Sequence, residues 1–197
     1  MGRSKAELLY QGETFLNRLV RVLTAHCDPV IVVTAKPAAV RGAINVVNPD
    51  PSRGMLRSVQ CGMRAVPESA HAVAFMPVDL PAVREETVAA LIEAWSGEVL
   101  RIPRFDGRRG HPVVIGRALI SEFLALPDGA KPSDVIHRFA DRAVYVDVLD
   151  NGIVRDVDTP SDYEELCGAS FSSGGTLVPH REAEASPELK LAPQQKQ

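Results

Sequence analysis

Residues able to do chemistry are few in this chain and lie far apart. The run Ala72-Val73-Ala74-Phe75-Met76-Pro77-Val78 is almost uncharged and ends in Asp79, which sits between prolines. Such a run reads as a strand covered on both faces, with a lone carboxylate at its C-terminal edge, where open α/β sheets place their ligands. Asp beside Pro is also common turn chemistry, so Asp79 alone carries both readings. A second carboxylate, Asp158, stands just before Thr159-Pro160-Ser161-Asp162, a cap, a first-turn proline and an acidic third position that start a helix. Capping chemistry explains Asp158 almost as well as ligand chemistry does. The third candidate is Phe105-Asp106-Gly107-Arg108-Arg109-Gly110, followed by His111-Pro112. It reads as a flexible cationic arm suited to an anion, although a solvated basic loop has the same composition. His26, His71, His137 and His180 lack metal-like spacing, and neither a nucleophile elbow nor a Walker phosphate loop is present.

The elements that must position these groups alternate between helical and extended patterns, the signature of parallel crossover units. Met1 to Gly12 reads as a loop. Thr14 caps a helix with Phe15, Leu16, Leu19, Val20 and Leu23 on one face, and Pro29 to Thr34 is a buried strand. One helical turn is expected over Ala38 to Arg41 and a strand over Ile44 to Val47, followed by turn residues from Asn48 to Gly54. Ser52 or Gly54 starts a helix bearing Met55, Val59 and Met63. After the central strand come a helix from Arg84 to Trp95, a strand at Val99 to Ile102, and a strand leaving the basic loop at His111 to Ile115. Helices are expected over Ala118 to Leu126 and from a Ser133 cap to Phe139. Asp150-Asn151-Gly152 between Val144–Leu149 and Ile153–Val157 signals a β-hairpin. A last helix runs to Leu166, and Gly168 to Gln197 reads as a disordered tail.

At 197 residues the chain has room for one α/β domain, placed at residues 1–167, and it can bury enough apolar surface to fold unaided. A hydrophobic content of 45%, a charged content of 24% and a net charge of -3 give no pull toward nucleic acid or an anionic membrane. Cys27, Cys61 and Cys167 are odd in number and widely separated, which excludes a disulfide framework and fits a reduced compartment. Without a membrane-length apolar run or a secretory signal, the expected location is the cytoplasm.

Met1-Gly2-Arg3-Ser4-Lys5, Gly54-Met55-Leu56-Arg57-Ser58, Asp79-Leu80-Pro81, Gly107-Arg108-Arg109-Gly110-His111-Pro112 and Asp156-Val157-Asp158-Thr159-Pro160-Ser161-Asp162-Tyr163 occur in the order seen in MobA-like nucleotidyltransferases. The chain resembles these enzymes over nearly all of residues 1–167. Its Arg-Arg-Gly-His-Pro loop is most similar to that of the molybdenum cofactor cytidylyltransferases, which join CTP to the molybdenum-bound pterin phosphate and release pyrophosphate. The resemblance implies a three-layer α/β/α fold with a mostly parallel, Rossmann-like sheet of the nucleotide-diphospho-sugar transferase type. It also implies Mg²⁺ held by Asp79 and Asp158, with Lys5 on the triphosphate completing the catalytic set. Lys5, Asn48, Gly54, Ser58 and Asp79 are then the expected nucleotide contacts, and Arg108, Arg109, Gly110, His111 and Pro112 the acceptor contacts. CTP and a molybdopterin-type acceptor are the implied partners, with a molybdoenzyme or its chaperone as recipient. The alternatives are transfer to a sugar phosphate or phospholactate, and a catalytically silent binding partner.

The chemistry suits these residue types. A phosphate attacks the α-phosphorus of a nucleoside triphosphate, so two anions must meet and a third must leave, and cations and backbone donors supply most of the stabilisation. The sequence departs from the family at its start: relatives place a strand and a glycine-rich loop of the Leu-Ala-Ala-Gly type ahead of the Met-Gly-x-x-Lys motif. Because that strand lies inside the sheet in relatives, its omission predicts unpaired backbone groups on both neighbouring strands and, if the chain is complete, poor nucleotide affinity. A start assigned too late, a truncation, or loss of full catalysis each account for the departure. The first two are favoured by the intact later motifs.

Overall fold

The computed structural model describes residues 4–172. A 3-10 turn at Lys5–Glu7 leads into a small hairpin, β1 (Leu9–Tyr10) and β2 (Glu13–Thr14). The loop expected there is therefore structured, closed by Gln11 and Gly12 at φ 53° and 84°. Thr14 caps α1 (Phe15–Thr24) as expected, its Oγ1 accepting the Asn17 N–H at 3.2 Å. β3 (Ile31–Thr34) and β4 (Ile44–Val47) pair in parallel. No helical turn forms over 38–41; the Ala38 N–H donates instead to the Asn45 side chain at 2.9 Å.

α2 (Met55–Arg64) starts from Gly54, whose φ of 81° suits only glycine, and leads to β5 (Ala72–Phe75), then α3 (Glu85–Glu93). β6 (Leu100–Phe105) runs further than its sequence signal and turns into β7 (Arg108–Arg109), followed by β8 (Val113–Gly116). α4 (Ile120–Leu124), α5 (Pro132–Arg138), β9 (Ala143–Asp147) and α6 (Pro160–Ser172) complete the chain. The cap of α5 is Lys131 rather than Ser133, because Pro132 suits the first helical position and Asp134 accepts the Lys131 N–H at 2.8 Å. α6 extends through Ser172, so the tail expected from Gly168 starts later, and residues 173–197 lie outside the described residues.

β5 pairs antiparallel with β8, β8 antiparallel with β6, and β6 parallel with β9, with β7 folded back on the end of β6. The α/β class holds, but the sheet is mixed, since β8 and β7 run against β5, β6 and β9. Alternation along the strands divides the core into layers. Leu100, Ile102, Val113 and Ile115 face α2, α4 and α5 with Met63, Phe123 and Val135, while the opposite side packs Phe105 with Val22 of α1, Val88 of α3 and Ile153. Among the described residues no helix is long and apolar enough to cross a membrane.

Two expectations fail for reasons of packing. The hairpin signalled by Asn151-Gly152 does not form: β9 joins β6 in parallel, and residues Asn151–Val154 make a 3-10 turn. Buried Asp150 accepts N–H bonds from Arg84 and Gly152, both at 2.9 Å, and the Thr87 hydroxyl at 2.7 Å, which ties this turn to the start of α3. A Cβ on Gly152 would lie 2.4 Å from the Ala82 carbonyl oxygen, so the chain packs against another segment rather than against itself. The second failure concerns continuity. β3 and β4 form a sheet of their own, not hydrogen-bonded to β5, and a cavity of about 750 Å³ separates β3 from β5.

Candidate active site

Asp79 lies beyond the strand expected to carry it, because β5 stops at Phe75 and residues 76–84 form a loop. That loop is fixed by a backbone bond: the Val157 N–H donates to the Asp79 carbonyl at 2.9 Å, placing the segment before Asp158 against the segment of Asp79. Beneath them Phe15, Val157 and Leu166 form an apolar cluster with Leu8, Tyr10, Val78 and Tyr163, drawing in the N-terminal arm and α6. The Tyr163 hydroxyl donates to the Leu9 carbonyl at 2.8 Å and strengthens that link.

Lys5 bridges the two acids. Its ammonium lies 3.5 Å from Asp79 Oδ2 and hydrogen-bonds Asp158 Oδ1, joining residues 74 and 153 positions away in the chain. Burial works against the lysine's charge, but the bond to Asp158 and the charges of both carboxylates more than offset it and hold the pKa above the usual lysine value. The Lys5 bond and charge in turn hold Asp158 below the usual carboxylate range. Asp158 is free for this role because capping falls to its neighbours. The Asp162 carboxylate accepts N–H bonds from Asp158 and Thr159 at 3.0 and 2.6 Å, and Thr159 Oγ1 accepts the Asp162 N–H at 3.2 Å.

Two carboxylates converging on one cation suit a Mg²⁺ ion, which takes oxygen ligands and keeps several waters or phosphate oxygens. Among the described residues there is no group of three or more His, Cys, Asp or Glu side chains able to hold a metal.

The arginine loop is stiffer than its glycines suggest. Asp106 and Gly107, at φ 49° and 73°, close a two-residue hairpin between Phe105 and Arg108, a turn for which Asp-Gly is itself a sequence signal. The Gly110 N–H donates to Pro103 and the His111 N–H to Ile153, at 2.9 and 3.0 Å. A Cβ at Gly110 would fall 2.3 Å from the Ile153 carbonyl oxygen, so glycine is required for this close approach. Successive residues of β7 face opposite sides, which separates the two arginines. Arg109 stacks 5.1 Å from the Tyr145 ring, which also carries Arg104 at 5.3 Å, itself held by Asp147. Arg108 is exposed and has no ion pair among the described residues. Pro112 is buried.

His111 packs edge-on to Phe75 and its Nδ1 lies 3.4 Å from the Phe75 carbonyl. Burial pushes its pKa down, against the opposing pull of that carbonyl and of the Asp79 charge. The neutral ring that donates from Nδ1 leaves Nε2 as an acceptor.

Across the cavity, buried Asn48 donates to Ser58 Oγ and accepts the Asp50 N–H, both at 3.0 Å. Its side chain holds the turn before α2 and sets Ser58. Ser58, Asp79 and Ala6 line the same cavity, which brings part of the expected nucleotide set to one surface. Gly54 is exposed at the start of α2. The arginine pair makes no contact with the two acids; His111, in range of the Asp79 charge, is the link between them. Sequence reasoning missed Tyr145, and no local signal marks it, because strand register alone puts it beside Arg109.

A domain model describing MobA-like NTP transferases matches residues 1–143. Over 108 residues the chain is 34% identical to a probable molybdenum cofactor guanylyltransferase from Opitutus terrae, a stretch that is 53% of this chain and 50% of that protein. The match thus spans about half the length of that relative. Among solved structures, Rv0371c from Mycobacterium tuberculosis H37Rv is similar at a TM-score of 0.72 and 22% identity, covering 85% of this chain and 91% of that one. Molybdopterin-guanine dinucleotide biosynthesis protein A from Archaeoglobus fulgidus is similar at 0.64 and 15% identity, covering 87% and 92%. At these identities the structural likeness is one of fold.

Proposed function

The chain belongs to the MobA-like NTP transferase family, and from that membership we propose that it transfers a nucleoside monophosphate from a nucleoside triphosphate to a phosphorylated acceptor, releasing pyrophosphate. The observation that carries this reading is the convergence of Asp79 and Asp158 on the Lys5 ammonium at one edge of the sheet. In the reaction an acceptor phosphate oxygen forms a bond to the α-phosphorus while the bond from that phosphorus to the bridging oxygen breaks, and the electron pair leaves with pyrophosphate. Asp79 and Asp158 would hold Mg²⁺, which when bound offsets the charge of the triphosphate. Lys5, released from one carboxylate, is a flexible point cation suited to the same phosphates. Arg109, steadied on Tyr145, presents a donor fork to the acceptor phosphate, and neutral His111 accepts a hydrogen bond at Nε2 rather than adding charge.

CTP and a molybdopterin-type acceptor are the leading pair on the likeness of the Arg108-Arg109-Gly110-His111-Pro112 loop. GTP is the second reading, favoured by the curated relative named a guanylyltransferase. Pyrophosphate release with CTP, GTP, UTP and ATP, each with Mg²⁺ and with or without molybdopterin, tests both. A clear preference for CTP is expected; preference for GTP transfers the assignment to guanylyl transfer. Absence of release, together with no Mg²⁺-dependent nucleotide binding by calorimetry, would leave a silent binding protein.

A further inference from the structure

Residues 150–154 stand between the two halves of the candidate site and touch both. On one side Gly152 lies against the loop that carries Asp79, so close to Ala82 that a Cβ would meet its carbonyl oxygen at 2.4 Å. Buried Ile153 packs with Leu80 and Val83 of the same loop. On the other side the Ile153 carbonyl accepts the His111 N–H at 3.0 Å, and Gly110 approaches that carbonyl so closely that a Cβ would fall 2.3 Å from its oxygen. The chain then continues to Val157, whose N–H donates to the Asp79 carbonyl at 2.9 Å immediately before Asp158.

Asp150 gives the turn its shape and its anchor. One carboxylate oxygen accepts the Gly152 N–H and closes the turn; the other accepts the Arg84 N–H and the Thr87 hydroxyl, fixing the turn to the start of α3 at the end of the Asp79 loop. At 2% exposure this carboxylate is held by those three donors in place of water. At both junctions the closest approach is made by a glycine against main chain, at Gly152 on Ala82 and at Gly110 on Ile153. No side-chain rotamer can absorb a displacement there, and an interior packed this closely passes it on.

We infer that the 150–154 turn is a rigid spacer, with Asp150 as its positioning residue, that sets the distance between the Asp79 and Asp158 pair and the hairpin of Arg109 and His111. In the reaction proposed above, on which this consequence rests, that distance fixes how far the acceptor phosphate stands from the α-phosphorus. The spacer itself follows from the contacts and holds whatever the substrates are.

Each junction carries an amide that reports on it, Val157 N–H at the acids and His111 N–H at the hairpin, so hydrogen exchange is read at one junction while the other is disturbed. Gly110→Ala, whose added methyl meets Ile153, is expected to speed exchange at Val157 about tenfold or more, and Gly152→Ala, whose methyl meets Ala82, to do the same at His111. Asp150→Asn, the milder change, should speed both while leaving the Val114 amide, in a strand paired on both edges, within about twofold. It should also lower kcat for pyrophosphate release about tenfold with the nucleotide KM nearly unchanged, because Ser58, held by Asn48, stands across the cavity from the turn. Exchange that quickens only at the disturbed junction, or equally at Val114, overturns the spacer, and Asp150→Asn alone decides this if the alanine variants do not fold. An unchanged kcat in Asp150→Asn overturns its positioning role. If the two junctions prove coupled but the unsubstituted chain releases no pyrophosphate with any nucleotide, the assigned reaction fails and the spacer stands.

Discussion

The two sheets of this molecule are built from similar β-branched runs and end up very different. In the larger one Leu100, Val114 and Ile115 are fully buried, with β6 and β8 paired on both edges and covered on both faces. In the smaller one every residue of β3 is only half-buried, and Ile44 of β4 is 52% exposed. The difference is one of neighbours, not of propensity: a strand is secured by what pairs with its edges. The site inherits the asymmetry. Asp79, His111 and the arginine hairpin stand on the firm side, while Asn48, Ser58 and Gly54 stand on the side joined to it through helices.

If the firm side carries the chemistry, Asp79→Asn should lower pyrophosphate release by about a hundredfold or more while leaving Tm and circular dichroism nearly unchanged. A merely structural Asp79 would move both together. The difference in anchoring itself is tested by truncating each side. Ile115→Ala should cost about 2–5 kcal/mol in denaturant unfolding, and Val33→Ala, at the open edge, about 1 kcal/mol or less. Comparable losses would mean that the small sheet is as well anchored as the large one.

Lys5 bridges the N-terminal arm to the firm side through Asp79 and Asp158, and if these acids bind a divalent ion it competes with that ion there. Lys5→Gln should tighten Mn²⁺ binding without nucleotide by about two- to fivefold, read by paramagnetic relaxation, while weakening binding of the nucleotide. The smallest effect belongs to His111. Its folded pKa lies below the ordinary value of 6.5, so the unfolded chain takes up the proton first as pH falls. The stability that its neutral form contributes is complete above that value and is lost as pH drops toward the depressed one. His111→Gln should flatten this part of the pH–stability curve.

Much of the scaffold was legible because it follows local rules. Thr14 caps α1, Glu85 and Glu86 open α3, and Thr159 to Asp162 start α6, each by chemistry confined to neighbouring residues. The misreadings arose where a local signal met a distant partner. Asn151-Gly152 signals a hairpin, but Asp150 is captured by Arg84 and Thr87, and Gly152 packs against Ala82. Gly107 to Gly110 looked loose, yet strand pairing and the contact with Ile153 make it a tight turn.

The residue types and their order along the chain determined the α/β class, the family, and which carboxylates to watch, because periodicity, capping and motif spacing are properties of the linear chain. Only the tertiary structure decided that Asp79 and Asp158 meet on Lys5, that Arg108 and Arg109 part to opposite faces, and that β3 and β5 face one another across a gap. Those outcomes depend on strand register and on contacts between residues remote in sequence, and no local pattern encodes which distant edge a strand will meet.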